Sequence, residues 1–186
     1  MTMLSSGLEG LTSEGVDAAS RGRSRIDWEL LVERNLAPAY RLASIILGDP
    51  TEAQDVTHDS LLRAWRAWPT LRDPSQADAW FQRIVVNACR DRLRHGRRTI
   101  AILQRLGGDS QMADPAGGVG DRDAIGRAFA VLAPDTRVTL ALRFFADLSV
   151  DEIAGRMGSP SGTIKSRIHR GLRQLRAAME AAGDSR

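Results

Sequence analysis

The sequence has few of the residues and patterns that allow covalent cross-links or membrane insertion. Among 186 residues there is one cysteine, Cys89, so neither an intrachain disulfide nor a multi-cysteine zinc site can form. No run of eighteen apolar residues occurs, and the first thirty residues lack a basic start followed by an apolar core. We therefore expect a cytoplasmic protein in which Cys89 is a small buried apolar residue.

Patterns typical of catalytic centres are also missing. The sequence contains no glycine-rich phosphate loop, no paired general acid and base, and no nucleophile beside a base. The stretch DVTHD groups Asp55, His58 and Asp59, and a metal-dependent hydrolase built on it is one alternative. The other histidines, His95 and His169, lie among basic residues that disfavour a cation. We predict no enzymatic activity, no cofactor and no metal.

Positive charge is concentrated in two stretches of a chain whose net charge is only +3. Residues 83–98 contain six arginines against Asp91, and residues 165–176 contain five cations and no acid. Two basic clusters in a nearly balanced chain indicate two contacts with a polyanion, although solvated helix faces can carry charge in the same way.

Helical periodicity predominates, and no alternating strand pattern appears, which predicts an all-α fold. Residues 1–25 are rich in Gly, Ser and acids and are predicted to form a disordered tail. Residues 99–121, which include GGDSQMADPAGGVGD, are predicted to be a flexible linker. Two small helical domains, 26–98 and 122–182, follow from these boundaries.

In the first domain, one helix is expected around residues 27–47, with a kink or restart at Pro38 and a stop at Gly48. Apolar residues at helical spacing predict its buried face: Leu36, Tyr40, Ala43 and Leu47. The sequence Asp-Pro-Thr-Glu at 49–52 combines an N-cap, a first-turn proline and a glutamate three residues later, so the next helix is predicted to begin at Pro50. That helix carries DVTHD.

A third helix, predicted from 76 to 97, carries polar residues at spacings of four, three, four and three that we call the arginine stripe: Arg83, Asn87, Arg90, Arg94 and Arg97. An amide among arginines beside Trp80 is typical of a surface that reads single strands, where arginines follow phosphates and an aromatic ring stacks on bases. Taken alone, a tryptophan at this position is more often a core residue.

The C-terminal domain contains a helix-turn-helix pattern. A capping box at Ser149 predicts a short helix to Met157, Ala154 allows close helix crossing, Gly158 allows a tight turn, and Ile164 anchors the following helix, 161–182. This second helix would read DNA in the major groove. Its candidate contacts, here the recognition set, are Thr163, Lys165, Ser166, Arg167, His169, Arg170 and Arg173.

Three motifs in this order resemble the extracytoplasmic-function sigma factors of bacterial RNA polymerase. They are EAQDVTHDSLLRAWRAW, AWFQRIVVNACRDRLRHGRR and LSVDEIAGRMGSPSGTIKSRIHRGLRQLR, and the resemblance covers about residues 26–98 and 122–180. It implies a sigma region 2-like domain that binds the β′ clamp helices of core polymerase and the melted minus-ten element. It also implies a region 4-like domain that binds the minus-35 element and touches the β flap.

The resemblance also implies roles for individual residues. Asn87 falls on the asparagine that recognises a minus-ten base, Trp80 on the aromatic residue of the same motif, and Lys165 to Arg170 on the minus-35 contact run. The DVTHD helix would bind the polymerase through a surface that we call the docking face: Asp55, His58, Asp59, Leu62, Arg63 and Arg66. Leu62, an apolar residue among polar ones, favours a docking patch over a metal cage.

Further partners follow from the family. Members are often held by an anti-sigma factor, so one is expected here. The alternative within DNA binding is a helix-turn-helix regulator that acts without gripping the polymerase clamp, but it would leave the arginine stripe without a role.

Overall fold

The computed structural model of the chain describes residues 11–105 and 121–183, and these residues form helices without any strand. Seven α-helices follow one another: α1 (Leu11–Leu47), α2 (Pro50–Ala67), α3 (Ala77–Arg105), α4 (Asp121–Ala130), α5 (Pro134–Phe144), α6 (Val150–Met157) and α7 (Ser161–Gly183). Two 3-10 turns, Trp68–Thr70 and Pro74–Gln76, join α2 to α3. The predicted all-α fold is confirmed for this part of the chain.

Both predicted irregular segments are partly helical. Helix α1 begins at Leu11, within the predicted tail 1–25, and α3 continues to Arg105, within the predicted linker 99–121. Residues 1–10 and 106–120 lie outside the described residues. The predictions failed at 11–25 and 99–105 because extending an existing helix adds a hydrogen bond per residue without a new nucleation step, so a weakly patterned segment can remain helical.

Helices α1, α2 and α3 pack around one core. Within residues 27–47 of α1, Ala43 and Ile46 are fully buried and Leu31 and Leu42 nearly so, whereas Leu36 and Tyr40 are 41% and 39% exposed. The predicted buried face of α1 is therefore confirmed at Ala43 and wrong at Leu36 and Tyr40, since this helix contacts α2, α3 and α5 and its core residues face these neighbours. Pro38 lies inside the continuous helix rather than at a restart.

The start of α2 is fixed as predicted. Gly48 adopts a left-handed φ of 76°, and the Asp49 side chain accepts a hydrogen bond from the backbone N–H of Glu52 at 3.0 Å. Pro50 occupies the first turn, where its missing N–H costs nothing. This cap fixes the residue at which α2 begins. Because side chains follow one another at a constant angle around a helix, the cap helps to set which residues of α2 face outward.

The helix-turn-helix is also confirmed in its local geometry. Ser149 and Glu152 form a capping box with both hydrogen bonds present, and Gly158 ends α6 in the left-handed conformation at φ 59° and ψ 42°. Ile164 in the first turn of α7 is fully buried. The outer face of α7 is consequently held at a fixed angle to α6.

Close packing of α7 against α5 depends on Gly171. A Cβ atom at this buried glycine would lie 2.7 Å from Cγ2 of Thr136 and 2.8 Å from Cδ1 of Leu140. Thr136 and Leu140 are themselves buried, so neither can swing into solvent. The two helices can approach this closely only because residue 171 has no side chain.

The two helical regions are packed against each other. Helix α3 contacts α5 and α6, and α1 contacts α5. The side chain of Arg137, on α5, donates a hydrogen bond to the carbonyl oxygen of Ile46 near the end of α1, at 3.2 Å. Arg156, on α6, bonds to the side chain of Gln82 on α3. The described chain thus forms a closed arrangement of its two regions.

We predict opposite effects for two glycine-to-alanine changes. Gly171→Ala should lower the free energy of unfolding, because overpacking of about 1–3 kcal/mol exceeds the helix-propensity gain of about 1 kcal/mol. Gly155→Ala, in α6 with open space around it, should raise that free energy by about 0.5–1 kcal/mol. Thermal unfolding followed by circular dichroism tests both. A melting temperature for Gly171→Ala equal to or above that of Gly155→Ala would contradict the packing account.

Candidate nucleic-acid interface

Helix α7 presents most of the recognition set to solvent. Lys165, Ser166, His169, Arg170 and Arg173 are all exposed, while Ile164 on the opposite side is buried. Thr163 is half-buried near the start of the helix. The exposed side chains combine three cations with a hydroxyl and an imidazole, which suits contact with both phosphates and base edges.

Arg167 differs from the rest of the recognition set. Its guanidinium donates to the Asp135 carboxylate at 3.1 Å and to the Ser159 hydroxyl at 3.2 Å. Its side chain is only 20% exposed. In this closed arrangement Arg167 is therefore directed toward α5 and away from the open face of α7.

The arginine stripe on α3 is divided into two parts. Arg83 and Asn87 are exposed, and the Asn87 side-chain oxygen accepts a hydrogen bond of 3.5 Å from Arg90. Arg90, Arg94 and Arg97 instead contact the C-terminal region. Arg97 donates to the carbonyl oxygen of Leu132 at 2.6 Å. The C-terminal part of the stripe is engaged by the C-terminal region, although Arg94 and Arg97 are still exposed.

Trp80 lies in an aromatic cluster near the start of α3. Its ring centroid is 6.2 Å from that of Trp68, and Trp68 packs edge-on against Trp28 at 5.5 Å. Trp80 is half-buried against the core, so part of its ring remains accessible. A stacking role and a packing role can coexist at this position.

Asp135, in the first turn of α5, connects three helices through one carboxylate. Arg90 donates to it at 3.1 and 3.4 Å, Arg94 at 2.9 and 3.1 Å, and Arg167 at 3.1 Å. Arg90 also reaches the carbonyl oxygen of Met157 at 3.4 Å. Asp135 thus binds arginines from both the arginine stripe and the recognition set. We call these four side chains the Asp135 cluster.

The Asp135 carboxylate is stabilised in its charged form. Partial burial alone would raise its pKa, but the hydrogen bond from Arg90 and the positive charges of Arg90, Arg94 and Arg167 together lower that pKa below its ordinary value. One negative charge faces three positive charges, so the cluster keeps an excess of positive charge. An added anion would therefore be attracted to it.

A second arginine of α5 lies deeper. Arg137 is 8% exposed and donates to the carbonyl oxygens of Ile46 and Ala130, while its Nε has no hydrogen-bond partner. Burial, together with the charge of Arg97, lowers the pKa of this guanidinium to about 10. Arg137 therefore remains charged at neutral pH. Its described hydrogen bonds go to carbonyl oxygens and not to a carboxylate, so burying its charge between α1 and α5 carries a desolvation cost that no counter-ion among these contacts offsets.

Sequence patterns did not reveal Asp135 or Arg137. An acid after a proline is the ordinary start of a helix, so Asp135 carried no signal beyond a favourable position in the helix dipole. Arg137 was indistinguishable from a solvated arginine. Both roles depend on contacts to α1 and α3 that are distant in sequence.

Helix α2 presents the whole docking face. All six members, Asp55, His58, Asp59, Leu62, Arg63 and Arg66, are exposed. Leu62 is 45% exposed although it is apolar. The opposite face of α2 buries Val56, Ser60 and Ala64, so the docking face lies away from the core.

Two grooves flank the docking face. One, of about 680 Å³, runs between α1 and α2 and is lined by His58 together with the half-exposed Leu36 and Tyr40. The other lies between α2 and α3 and is lined by Asp59 and Arg63. The face therefore has an apolar border on one side and a charged border on the other, a combination typical of a protein-binding surface.

Neither a metal site nor a membrane span is found in the described part of the chain. Within residues 11–105 and 121–183, no three His, Cys, Asp or Glu side chains are grouped to hold a metal ion. No helix in the same ranges is long and apolar enough to cross a bilayer. Cys89 is fully buried, as predicted, and its burial raises the pKa of the thiol to about 12.

Family models match both helical regions. The model for sigma-70 region 2 matches residues 31–99, which contain the docking face and the arginine stripe. The model for sigma-70 region 4 matches residues 122–175, which contain the helix-turn-helix and the recognition set. The two matches lie in the order of their region numbers and are separated by residues 100–121.

Curated relatives cover most of the chain. The RNA polymerase sigma-E factor of Streptomyces coelicolor is 30% identical over 84% of this chain and 88% of its own length. The ECF RNA polymerase sigma factor SigL of Mycobacterium tuberculosis is 29% identical over 84% and 90%, and SigM of the same species is 30% identical over 85% and 80%.

Solved structures have the same fold. The sigma factor RpoE, solved in complex with the anti-sigma factor NepR from Bartonella quintana, matches with a TM-score of 0.65 at 24% identity, over 83% of this chain and 97% of its own. CnrH, solved with the cytosolic domain of CnrY, matches with a TM-score of 0.59 at 26% identity, over 83% and 88%.

The Asp135 cluster predicts an acid-dependent loss of stability. Because folding lowers the pKa of Asp135 below an unfolded value of about 3.9, its carboxylate stabilises the folded chain above about pH 4. The contribution is lost as pH falls through the folded pKa. The melting temperature of wild type should therefore exceed that of Asp135→Asn at pH 7, and the difference should shrink below about pH 4.

Asp147→Asn is the matched control for this titration. Asp147 is 98% exposed and lies 3.9 Å from Arg143, and asparagine tolerates its left-handed φ of 50°. Its melting temperature should stay close to that of wild type throughout. A difference between wild type and Asp135→Asn that does not change with pH would contradict the assignment.

Proposed function

The chain belongs to the extracytoplasmic-function sigma factors, alternative sigma factors that direct RNA polymerase to specific promoters, and we propose how its surfaces divide that work. The observation that carries the proposal is the presence of two matched regions, each with a basic helix face partly open to solvent. Region 2 would correspond to residues 26–98 and region 4 to residues 122–182.

The arginine stripe is proposed to hold the melted minus-ten element. Asn87 is exposed at the open end of the stripe, where its amide can donate and accept hydrogen bonds at the edge of an unpaired base. Arg83, Arg90, Arg94 and Arg97 would follow the phosphates. Trp80 contributes an accessible part of its ring for stacking. Binding the open strand lowers the free energy of DNA melting, and polymerase performs the chemistry.

The recognition set is proposed to read the minus-35 element. Lys165, Ser166, His169 and Arg170 project from the N-terminal half of α7, the part of a recognition helix that enters the major groove. Arg170 and Lys165 suit guanine edges and phosphates, and Arg173 lies one turn beyond Arg170 for a phosphate contact. Thr163 and Arg167 complete the set once the DNA is bound.

The docking face is proposed to bind the β′ clamp helices of core polymerase. Leu62 would be the apolar anchor, and Asp55, Asp59, Arg63 and Arg66 would supply charged contacts around it. His58 borders the apolar groove and can donate or accept a hydrogen bond. The region 4 domain would contact the β flap.

Further properties follow from membership of the family. We expect an anti-sigma factor as a partner, since RpoE and CnrH were both solved with protein partners and the former is named an anti-sigma factor complex. We expect the protein to act in the cytoplasm, where polymerase is found. Sigma factors are DNA-binding initiation factors, and we expect no enzymatic activity from this chain.

A regulator that uses only the helix-turn-helix explains less of the chain. It would account for the recognition set, but it gives no role to residues 31–99, which match sigma-70 region 2. The exposed apolar Leu62 on the docking face would also be unexplained. The two hypotheses differ in whether the chain forms a complex with core polymerase.

Transcription with purified core polymerase and a library of genomic promoters tests the function and the two DNA surfaces. Wild type should yield promoter-dependent transcripts. Asn87→Ala should lower them by about tenfold at promoters with the preferred minus-ten base and less at promoters that lack it, because a specific base contact contributes about 1–3 kcal/mol. Arg170→Ala should do the same for the minus-35 element.

Arg176→Ala is the control for Arg170→Ala, because Arg176 is an exposed arginine of the same helix outside the recognition set. It should weaken all promoters slightly and equally through its lost charge. An equal loss of transcript at every promoter for Asn87→Ala or Arg170→Ala would show that the residue contacts phosphate and does not recognise a base. No promoter-dependent transcript, with no complex between wild type and core polymerase, would refute the sigma function itself.

Binding of the full chain to a β′ clamp-helix fragment tests the docking face. Leu62→Ala should weaken binding by about tenfold or more, because truncating a central apolar anchor commonly costs more than 1 kcal/mol. Leu172→Ala is a control with nearly the same exposure, 44% against 45%, on helix α7. It should bind as wild type does. Unchanged affinity for Leu62→Ala would exclude this residue as the anchor.

A further inference from the structure

We propose that the Asp135 cluster is an autoinhibitory latch that keeps the free protein closed and occupies arginines of both DNA-binding surfaces. The inference rests on the proposed function. Asp135 accepts hydrogen bonds from Arg90 and Arg94 of the arginine stripe and from Arg167 of the recognition set. One carboxylate on α5 thereby holds side chains of α3 and α7 that the proposal assigns to two different promoter elements.

Two of the three latched arginines are poorly available to DNA. The side chains of Arg90 and Arg167 are 14% and 20% exposed, whereas Arg94 is 44% exposed. Arg90 is further held by the carbonyl oxygen of Met157, and Arg167 by the Ser159 hydroxyl. Asn87, Lys165 and Arg170 remain exposed outside the cluster. The closed form can therefore contact DNA through these exposed residues. It cannot use all of its phosphate contacts, because Asp135 binds three of the arginines.

Promoter geometry also requires the latch to open. The minus-ten and minus-35 elements lie about 25 base pairs apart, which is about 85 Å along B-DNA at about 3.4 Å per base pair. In the closed form, arginines of α3 and α7 meet at the same carboxylate, with N–O distances of 2.9–3.4 Å. The two surfaces cannot occupy both elements at that spacing while they share Asp135.

The chemistry of the latch makes it releasable by DNA. A carboxylate offers two oxygens to an arginine in the geometry that phosphate also offers, so a phosphate can replace Asp135 with little loss of hydrogen bonding. Three arginines around one carboxylate leave uncompensated positive charge, which favours a polyanion over the single internal anion. Asp135 thus acts as an internal competitor for the phosphate sites.

Other contacts between the two regions do not have this property. Arg97 bonds to the carbonyl oxygen of Leu132, and Arg137 bonds to that of Ile46. These contacts support the closed form, but neither joins the arginine stripe to the recognition set. The latch function is therefore assigned to Asp135 among the described contacts.

Binding of the full chain, without polymerase, to a fluorescent duplex that carries the minus-35 element tests the latch. Asp135→Asn and Asp147→Asn each remove one negative charge, so long-range attraction to DNA rises equally in both. If the latch holds about nine-tenths of the molecules closed, Asp135→Asn should bind up to about tenfold more tightly than Asp147→Asn, since apparent affinity scales with the competent fraction and the closed form keeps only part of the recognition set for DNA. Equal affinities for the two variants would overturn the proposal.

Small-angle X-ray scattering of the same proteins provides a second readout. The radius of gyration should be larger for Asp135→Asn than for wild type and Asp147→Asn, and wild type should expand when the minus-35 duplex is added. Wild type that is already extended without DNA would overturn the latch, and this measurement needs no variant to fold. Promoter-dependent transcription by wild type, measured separately, distinguishes failure of the latch from failure of the sigma function.

Discussion

The structure depends on how the positive charge of α3 and α7 is neutralised. These helices carry the arginines that the proposed function requires at the DNA, and in the free chain three of them, Arg90, Arg94 and Arg167, bind an internal anion. Asp135 supplies it from α5, between the two regions. A buried apolar contact could hold the regions together as well, but it would not be exchanged for a phosphate. Because the internal partner is a carboxylate, closing the chain and binding DNA compete for the same guanidinium groups.

The surfaces on either side of this cluster are held by rigid local structure. The capping box at Ser149, the left-handed Gly158 and the buried Ile164 fix α7 against α6. Gly171 then lets α7 approach α5 closely enough for Arg167 to reach Asp135. In the N-terminal region, the cap at Asp49 fixes the start of α2, so its docking face points away from the core. The proposed function is thus distributed over exposed residues, while a few buried, capping or glycine positions set their directions.

The sequence was sufficient to predict those features that depend only on residues close together along the chain. The start of α2 at Pro50, the capping box at Ser149 and the turn at Gly158 each depend on residues within four positions of one another, and all three were predicted. The buried face of α1 was predicted correctly at Ala43 but wrongly at Leu36 and Tyr40, because these two satisfy the helical period as well as Leu42 and Ile46 do, and only packing against α2, α3 and α5 decides between them. Asp135 was missed for a related reason: its partners are more than thirty positions away, and no local pattern distinguishes an interdomain carboxylate from an ordinary helix start.

The decisive measurement is a structure of the complete complex of this chain with core polymerase and promoter DNA. In that complex, Arg90 and Arg94 should lie on the phosphates of the melted minus-ten strand, Lys165 and Arg170 should enter the major groove at minus-35, and Asp135 should have lost all three arginines. The docking face should lie against the β′ clamp helices. A complex in which Asp135 still binds Arg90 and Arg167, or in which α7 faces away from the DNA, would contradict these predictions.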